Sequence, residues 1–143
     1  MYLLDTNVIS ELRRAKTNRA SKSVVSWAKN IPASSLFLCA ISILELEIGV
    51  LLIERRDRTQ GKLLRRWLEE QVLHTFSDRI LPIDTQTALR CAALHVPNPH
   101  SERDALIAAT ALTHGMTVAT RNTADFRSTG VLLINPWQHH PTQ

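Results

Sequence analysis

Short, unbroken apolar runs alternate along this chain with longer stretches in which apolar residues return every three or four positions. The runs predict buried strands, and the periodic stretches predict helices. Tyr2-Leu3-Leu4-Asp5 opens with a strand, and Thr6 stands as the N-cap of a helix carrying Val8, Ile9 and Leu12. After a polar, loop-like stretch over 14–21, a helix is predicted over 22–30, stopping ahead of Pro32. Leu36-Phe37-Leu38-Cys39 forms a second strand. Helices follow over about 42–55 and 58–74, the latter amphipathic through Leu63, Leu64, Trp67, Leu68 and Val72. Ile80-Leu81-Pro82-Ile83 is the third strand, and Asp84 or Thr85 caps a helix reaching about 95. An apolar helix fills 102–114, with Gly115 as its C-cap, ahead of two last strands at Val118-Ala119-Thr120 and Val131-Leu132-Leu133-Ile134.

Strands that are apolar throughout are buried on both faces. The expected fold is therefore α/β: a central parallel sheet of about five short strands, flanked by helices on both faces. Such sheets bind ligands beyond the carboxyl ends of their strands. Asp5 and the segment after Thr120 lie at such ends, and Glu45 and Asp104 fall in first turns of helices, where strands feed in.

At 143 residues the chain suits one domain with a proper core, and 44% hydrophobic residues with dispersed charge exclude a disordered chain. No apolar run approaches the roughly 18 residues that span a membrane. The first segment lacks a basic leader and breaks at Asp5, so no signal peptide is expected. Cys39 and Cys91 sit among apolar neighbours without a Cys-x-x-Cys, the pattern of buried free thiols in a reducing cytoplasm. The formal charge is +4, and the bases cluster as Arg13, Arg14, Lys16, Arg19 and Lys22, then as Arg55, Arg56, Arg58, Lys62, Arg65 and Arg66. Such patches attract polyanions, although a solvated face or a surface for an acidic protein explains either one equally.

Four acids change the picture: Asp5, Glu45, Asp104 and Asp125 all lie in or beside apolar segments. A carboxylate in such surroundings is costly unless paired or bound to a metal. Converging, these acids would make an oxygen-donor site for Mg²⁺ or Mn²⁺. Each also has a capping alternative. Ser42-x-x-Glu45 and Ser101-x-x-Asp104 have capping-box spacing, and Asp5 or Asp125 can cap a helix or close an Asx-turn. Asp104 shares its face with Ile107, Ala108 and Ala111, and Glu45 with Ile48, Gly49 and Leu52, which places both acids on expected interior stripes. Glycine-rich phosphate loops are absent, Asp5-Thr6-Asn7 lacks the second acid of a haloacid-dehalogenase phosphatase, and the six histidines are too scattered for zinc.

The chain resembles the PIN domain, and within it the VapC/FitB type of toxin–antitoxin ribonuclease. The likeness rests on Leu4-Asp5-Thr6-Asn7-Val8-Ile9-Ser10-Glu11, Ser42-x-x-Glu45-Leu46-x-x-Gly49, Asp104-Ala105-Leu106-Ile107-Ala108-Ala109, Thr120-Arg121-Asn122-Thr123-Ala124-Asp125-Phe126 and the closing Ile134-Asn135-Pro136-Trp137. The resemblance implies one PIN domain over 1–143, with residues about 56–76 as a helical protrusion. It implies Asp5 and Asp104 as ligands of Mg²⁺ (with Mn²⁺ able to substitute), Glu45 completing the acidic core, and Asp125 supplying the fourth charge where some relatives have an acid at the place of Asn122. Thr6, Asn7, Thr120 and Asn122 would support these acids, and Glu47 would be an interface or structural residue. The implied protein is a cytoplasmic, homodimeric, metal-dependent endoribonuclease. A small antitoxin would silence it, and it would touch promoter DNA only through that complex. A PIN-fold binding module in a DNA-bound complex, and a DNase or RNA-maturation nuclease, are the alternatives.

Overall fold

A computed structural model, describing residues 1–140, places five strands in one parallel sheet. They are β1 (Tyr2–Leu4), β2 (Leu36–Cys39), β3 (Ile80–Leu81), β4 (Thr117–Ala119) and β5 (Leu133–Ile134), ordered β3-β2-β1-β4-β5. Leu3 aligns with Phe37 on one side and Val118 on the other, so the first strand in the chain is the middle strand of the sheet. Its alternating side chains serve two cores. Leu4, Leu36, Leu38 and Ala119 pack on one face with Val8, Trp27, Leu46, Leu68 and Val72. Leu3, Cys39 and Val118 pack on the other with Ile107, Ala108, Ala111 and Phe126. This two-sided burial is why the strands are uniformly apolar. Both cysteines are free and buried.

The helices are α1 (Thr6–Arg13), α2 (Lys22–Lys29), α3 (Ala40–Arg56), α4 (Arg58–Arg66), α5 (Thr85–Leu94), α6 (Glu102–His114) and the short α7 (Thr123–Phe126). Three local expectations are corrected. Asp5, not Thr6, caps α1, its carboxylate accepting from Thr6 N–H. Helix α3 grows straight out of β2 at Ala40, so Ser42 lies inside it, and the capping box with Glu45 does not form. The buried stripe of α3 is Ser42, Leu46 and Val50, while Leu52 on the Glu45 side is 57% exposed. Of the expected interior stripe, Gly49 and Leu52 are thus exposed and Ile48 is half-buried. Helix α5 is capped by Asp84, whose carboxylate accepts from Thr87 N–H and lies below its ordinary pKa because of that bond.

The single helix expected over 58–74 divides. After α4 the chain widens into π-helical turns over Trp67–Leu73, closed by the bond from His74 N–H to the Glu69 carbonyl. These turns bury Leu68 and Val72 in the core. Helix α4 is fastened to α3 instead. Gly61 lies so close that a Cβ there would stand 2.7 Å from Glu54 Cα. Arg65 reaches both Glu47 oxygens at 2.6 and 2.7 Å and both Glu54 oxygens at 3.2 and 2.9 Å, which draws the Glu54 carboxyl below its ordinary range. Among the described residues no helix is long and apolar enough to cross a membrane.

Candidate active site

The two central strands deliver the middle of the site. Asp5 follows β1, and its N–H donates to the Ala119 carbonyl at 2.9 Å, setting it beside Thr120 at the carboxyl end of β4. Its side chain is only 6% exposed. One carboxylate oxygen accepts from Thr6 N–H at 2.8 Å, and the other from the Thr120 hydroxyl at 2.7 Å and the Asn7 amide at 3.3 Å. Burial pushes the Asp5 carboxyl above its ordinary range. The bonds from Thr120 and Thr6 oppose that push, and the charges of Glu45 and Asp125 add to it.

Asp104 enters from the first turn of α6, half-buried. Ser101 occupies the N-cap position but makes no side-chain capping bond, so here too the capping box does not form. Burial first, then the charges of Asp5, Asp125 and Glu45, push the Asp104 carboxyl up. Glu45 comes from the second turn of α3, because that helix begins two residues before Ser42. It accepts from the Thr6 hydroxyl at 2.8 Å and stands 3.6 Å from Arg103. Asp125 is exposed on α7, its field reaching Asp5 and Asp104. Asn122, not Asp125, lines the cleft, and its N–H donates to the Thr120 hydroxyl at 3.0 Å.

The cleft holds about 490 Å³ and brings Asp5, Glu45 and Asp104 together with Thr6, Asn7 and Asn122. It is also lined by Ser10, Glu11, Arg13, Arg14, Arg121 and Trp137, which the sequence marked only as parts of a basic cluster or of family motifs and not as site residues. A signal for part of that wall was present: Asn7, Ser10 and Glu11 recur at helical spacing on one face of α1, with Arg14 just past its end. A larger surface hollow of about 640 Å³ between Asn18 and Lys29 contains no acid among its lining residues.

Two acids of this cleft lack cations of their own. Among the described residues neither Asp5 nor Asp104 forms a salt bridge. No group of three or more acid, histidine or cysteine side chains stands in metal-holding geometry there. The oxygen donors of the cleft are carboxylates, hydroxyls and amides, a hard donor set, with arginines on the same wall. His95 and His100 instead associate with each other, His100 N–H donating to His95 Nδ1 at 3.2 Å.

Fold and site together define a parallel α/β domain with an acidic, oxygen-lined cleft at the carboxyl edge of its central strands. The PIN domain family matches residues 2–132, and the chain belongs to it. Toxin FitB of Neisseria gonorrhoeae is 38% identical over 142 residues, covering 96% of this chain and 99% of the relative. VapC ribonuclease Y4jK of Sinorhizobium fredii is 37% identical over 143 residues, with the same coverage of 96% and 99%. The solved structure of FitAB bound to an IR36 DNA fragment superposes with a TM-score of 0.87 at 34% identity, covering 100% of both chains. The α/β architecture expected from the strand pattern and the PIN resemblance both stand.

Proposed function

We propose that this chain is the toxin of a toxin–antitoxin pair, an endoribonuclease that uses Mg²⁺ or, in its place, Mn²⁺. One observation carries the reading: Asp5, Glu45 and Asp104 converge in one cleft, Asp5 and Asp104 being pushed up by burial and neighbouring acids and, among the described residues, forming no salt bridge. A hard divalent cation fits this donor set. Asp5 and Asp104 would hold it, with water completing the shell, as Mg²⁺ commonly retains several waters. When bound, such an ion lowers the pKa of a coordinated water and offsets charge on the phosphoryl oxygens. Glu45, which lines the cleft and is held by Thr6, would take the proton of the attacking water. Asp125 contributes charge from the rim. Thr6, Asn7, Thr120 and Asn122 keep the acids in place through the bonds described above.

The partner assignments rest on the relatives and on the surface. A small antitoxin would lay an arginine against Asp5 and Asp104, shutting out metal and RNA, and promoter DNA would be reached through that complex. Exposed Leu44, Leu51 and Leu52 on α3 support a homodimer. The free thiols are in keeping with a cytoplasmic protein.

The test is cleavage of single-stranded RNA by the purified chain with Mg²⁺, with excess EDTA, and with Asp104→Asn. Cleavage is expected in the first sample alone. Products forming in EDTA, or cleavage of duplex DNA with RNA left intact, would overturn the reading.

A further inference from the structure

Three arginines line the acidic cleft, Arg13, Arg14 and Arg121. Arg14 stands 3.7 Å from Glu11. The other two are exposed and form no salt bridge among the described residues. Each lies on an indole instead: the Arg13 guanidinium is 5.7 Å from the centre of the Trp67 ring, and that of Arg121 is 5.2 Å from the centre of Trp137. Both rings are partly buried against the main core, and the backbone N–H of Trp137 donates to Asn135 Oδ1 at 2.9 Å.

This arrangement separates opposite charges within one cleft. Each indole carries a guanidinium that, among the described residues, forms no salt bridge with the carboxylates of the cleft. An arginine steadied by an aromatic face retains its fork of N–H donors and loses less entropy when it meets an anion. Anions with more than one oxygen suit that fork, phosphates above all. Their backbones leave the cleft at different places. Arg121 follows Thr120 directly, and its N–H donates to Asn7 Oδ1 at 3.3 Å. Arg13 lies eight residues beyond Asp5, roughly 12 Å along α1.

We propose that Arg121 and Arg13 are two phosphate-contacting residues of the RNA path, Arg121 gripping a phosphate close to the bond that is cut and Arg13 one farther along the strand. The inference rests on the ribonuclease reading above and adds to it a direction of travel, from the Trp137 side across the acids toward Trp67.

The experiment measures affinity for a short single-stranded RNA of mixed sequence over a range of salt, in the full chain carrying Asp104→Asn so that the RNA survives. Arg121→Ala and Arg13→Ala should each flatten the log–log salt slope by about 0.7, the share of one phosphate. Each should also weaken binding about tenfold, the loss of one charge-assisted contact. Arg121→Lys and Arg13→Lys should restore the slope, which separates lost charge from a damaged fold. Trp137→Leu should weaken binding with the slope unchanged, since the charge remains. Shortening the RNA should abolish the effect of Arg13→Ala before that of Arg121→Ala. Unchanged slopes in both alanine variants would overturn the inference, as would losses confined to binding of an antitoxin protein. If the unmutated chain cleaves RNA but the slopes do not move, the phosphate contacts fail and the nuclease reading stands. If the slopes move but nothing is cleaved, the nuclease reading fails and the contacts stand.

Discussion

The Thr120 hydroxyl donates to Asp5 at 2.7 Å, joining residues 115 positions apart at the ends of adjacent strands. The bond is buried, and it draws the Asp5 carboxyl back down against the push of burial. Thr120→Val removes the donor while keeping the shape. Loss of one supporting bond to a metal-binding carboxylate typically costs about 10–100-fold in metal affinity or activity. We expect a Mn²⁺ titration of Thr120→Val to show that loss and Thr120→Ser to recover most of it. Equal affinity in Thr120→Val would remove this hydroxyl from the site.

Asp104→Asn should abolish RNA cleavage and raise the melting temperature of the metal-free protein by a few degrees at neutral pH. The sign follows from proton linkage. A carboxyl raised in the folded state keeps its proton at pH values where the unfolded chain has released it, so stability falls as pH rises from about 3.9 through the raised value. Asparagine carries no such charge. Its advantage should therefore shrink as pH drops through that window, and added Mg²⁺ should stabilise only the parent. Asp5→Asn carries a different expectation, because three donors converge on Asp5 and an amide nitrogen would face one of them. It should melt below Asp104→Asn.

Arg103 is the cation nearest to Glu45, 3.6 Å away and half exposed. Removing it leaves the cleft more negative, so Arg103→Ala should tighten Mn²⁺ binding. A half-exposed pair of this kind is worth up to about 1 kcal/mol, which is roughly fivefold at most. Calorimetric titration decides it, and weaker binding would mean that Arg103 orders Glu45 rather than competing with the ion.

Two helical glycines should respond oppositely to alanine. At Gly49 nothing lies within 4 Å of the added Cβ, so helix propensity governs and stability should rise by up to about 1 kcal/mol. At Gly61 the Cβ would meet Glu54 backbone at 2.7 Å, and the overlap should cost about 1–3 kcal/mol despite the better propensity. Thermal melts of both variants check the pair. A stabilised Gly61→Ala would show that α3 and α4 part easily.

Much of the fold was legible because two-sided burial leaves a strong mark on short strands. The runs at Tyr2–Leu4 and Leu36–Cys39 contain nothing polar, and the cap at Gly115 follows from its left-handed backbone, φ +66°. The runs overstate strand length where pairing stops early, as at Pro82, which has no N–H to donate. Facing was harder to infer. On α3 the apolar residues nearly surround the helix, so spacing alone left its inward side open, and the stripe through Leu52 proved not to be the buried one. The wide turns at Trp67–Leu73 keep an amphipathic pattern and leave no separate signature. Among the acids, Asp5, Glu45 and Asp104 come together in the cleft, but choosing between Asn122 and Asp125 required knowing which side of a four-residue helix faces inward.

The strand that occupies the middle of the sheet is the first to be synthesised, while its neighbour β4 is among the last. At a translation rate of about 5–20 residues per second, roughly 5–20 s separate the emergence of Asp5 from that of Asp104. Until the segment bearing Thr120 has left the ribosome, one edge of β1 has no partner strand and Asp5 lacks the hydroxyl that restrains it. A nascent chain therefore has no assembled cleft until that segment has emerged. The segment that has already emerged, β1 with Asp5, waits without its neighbour strand, so the order of synthesis itself delays assembly of the cleft.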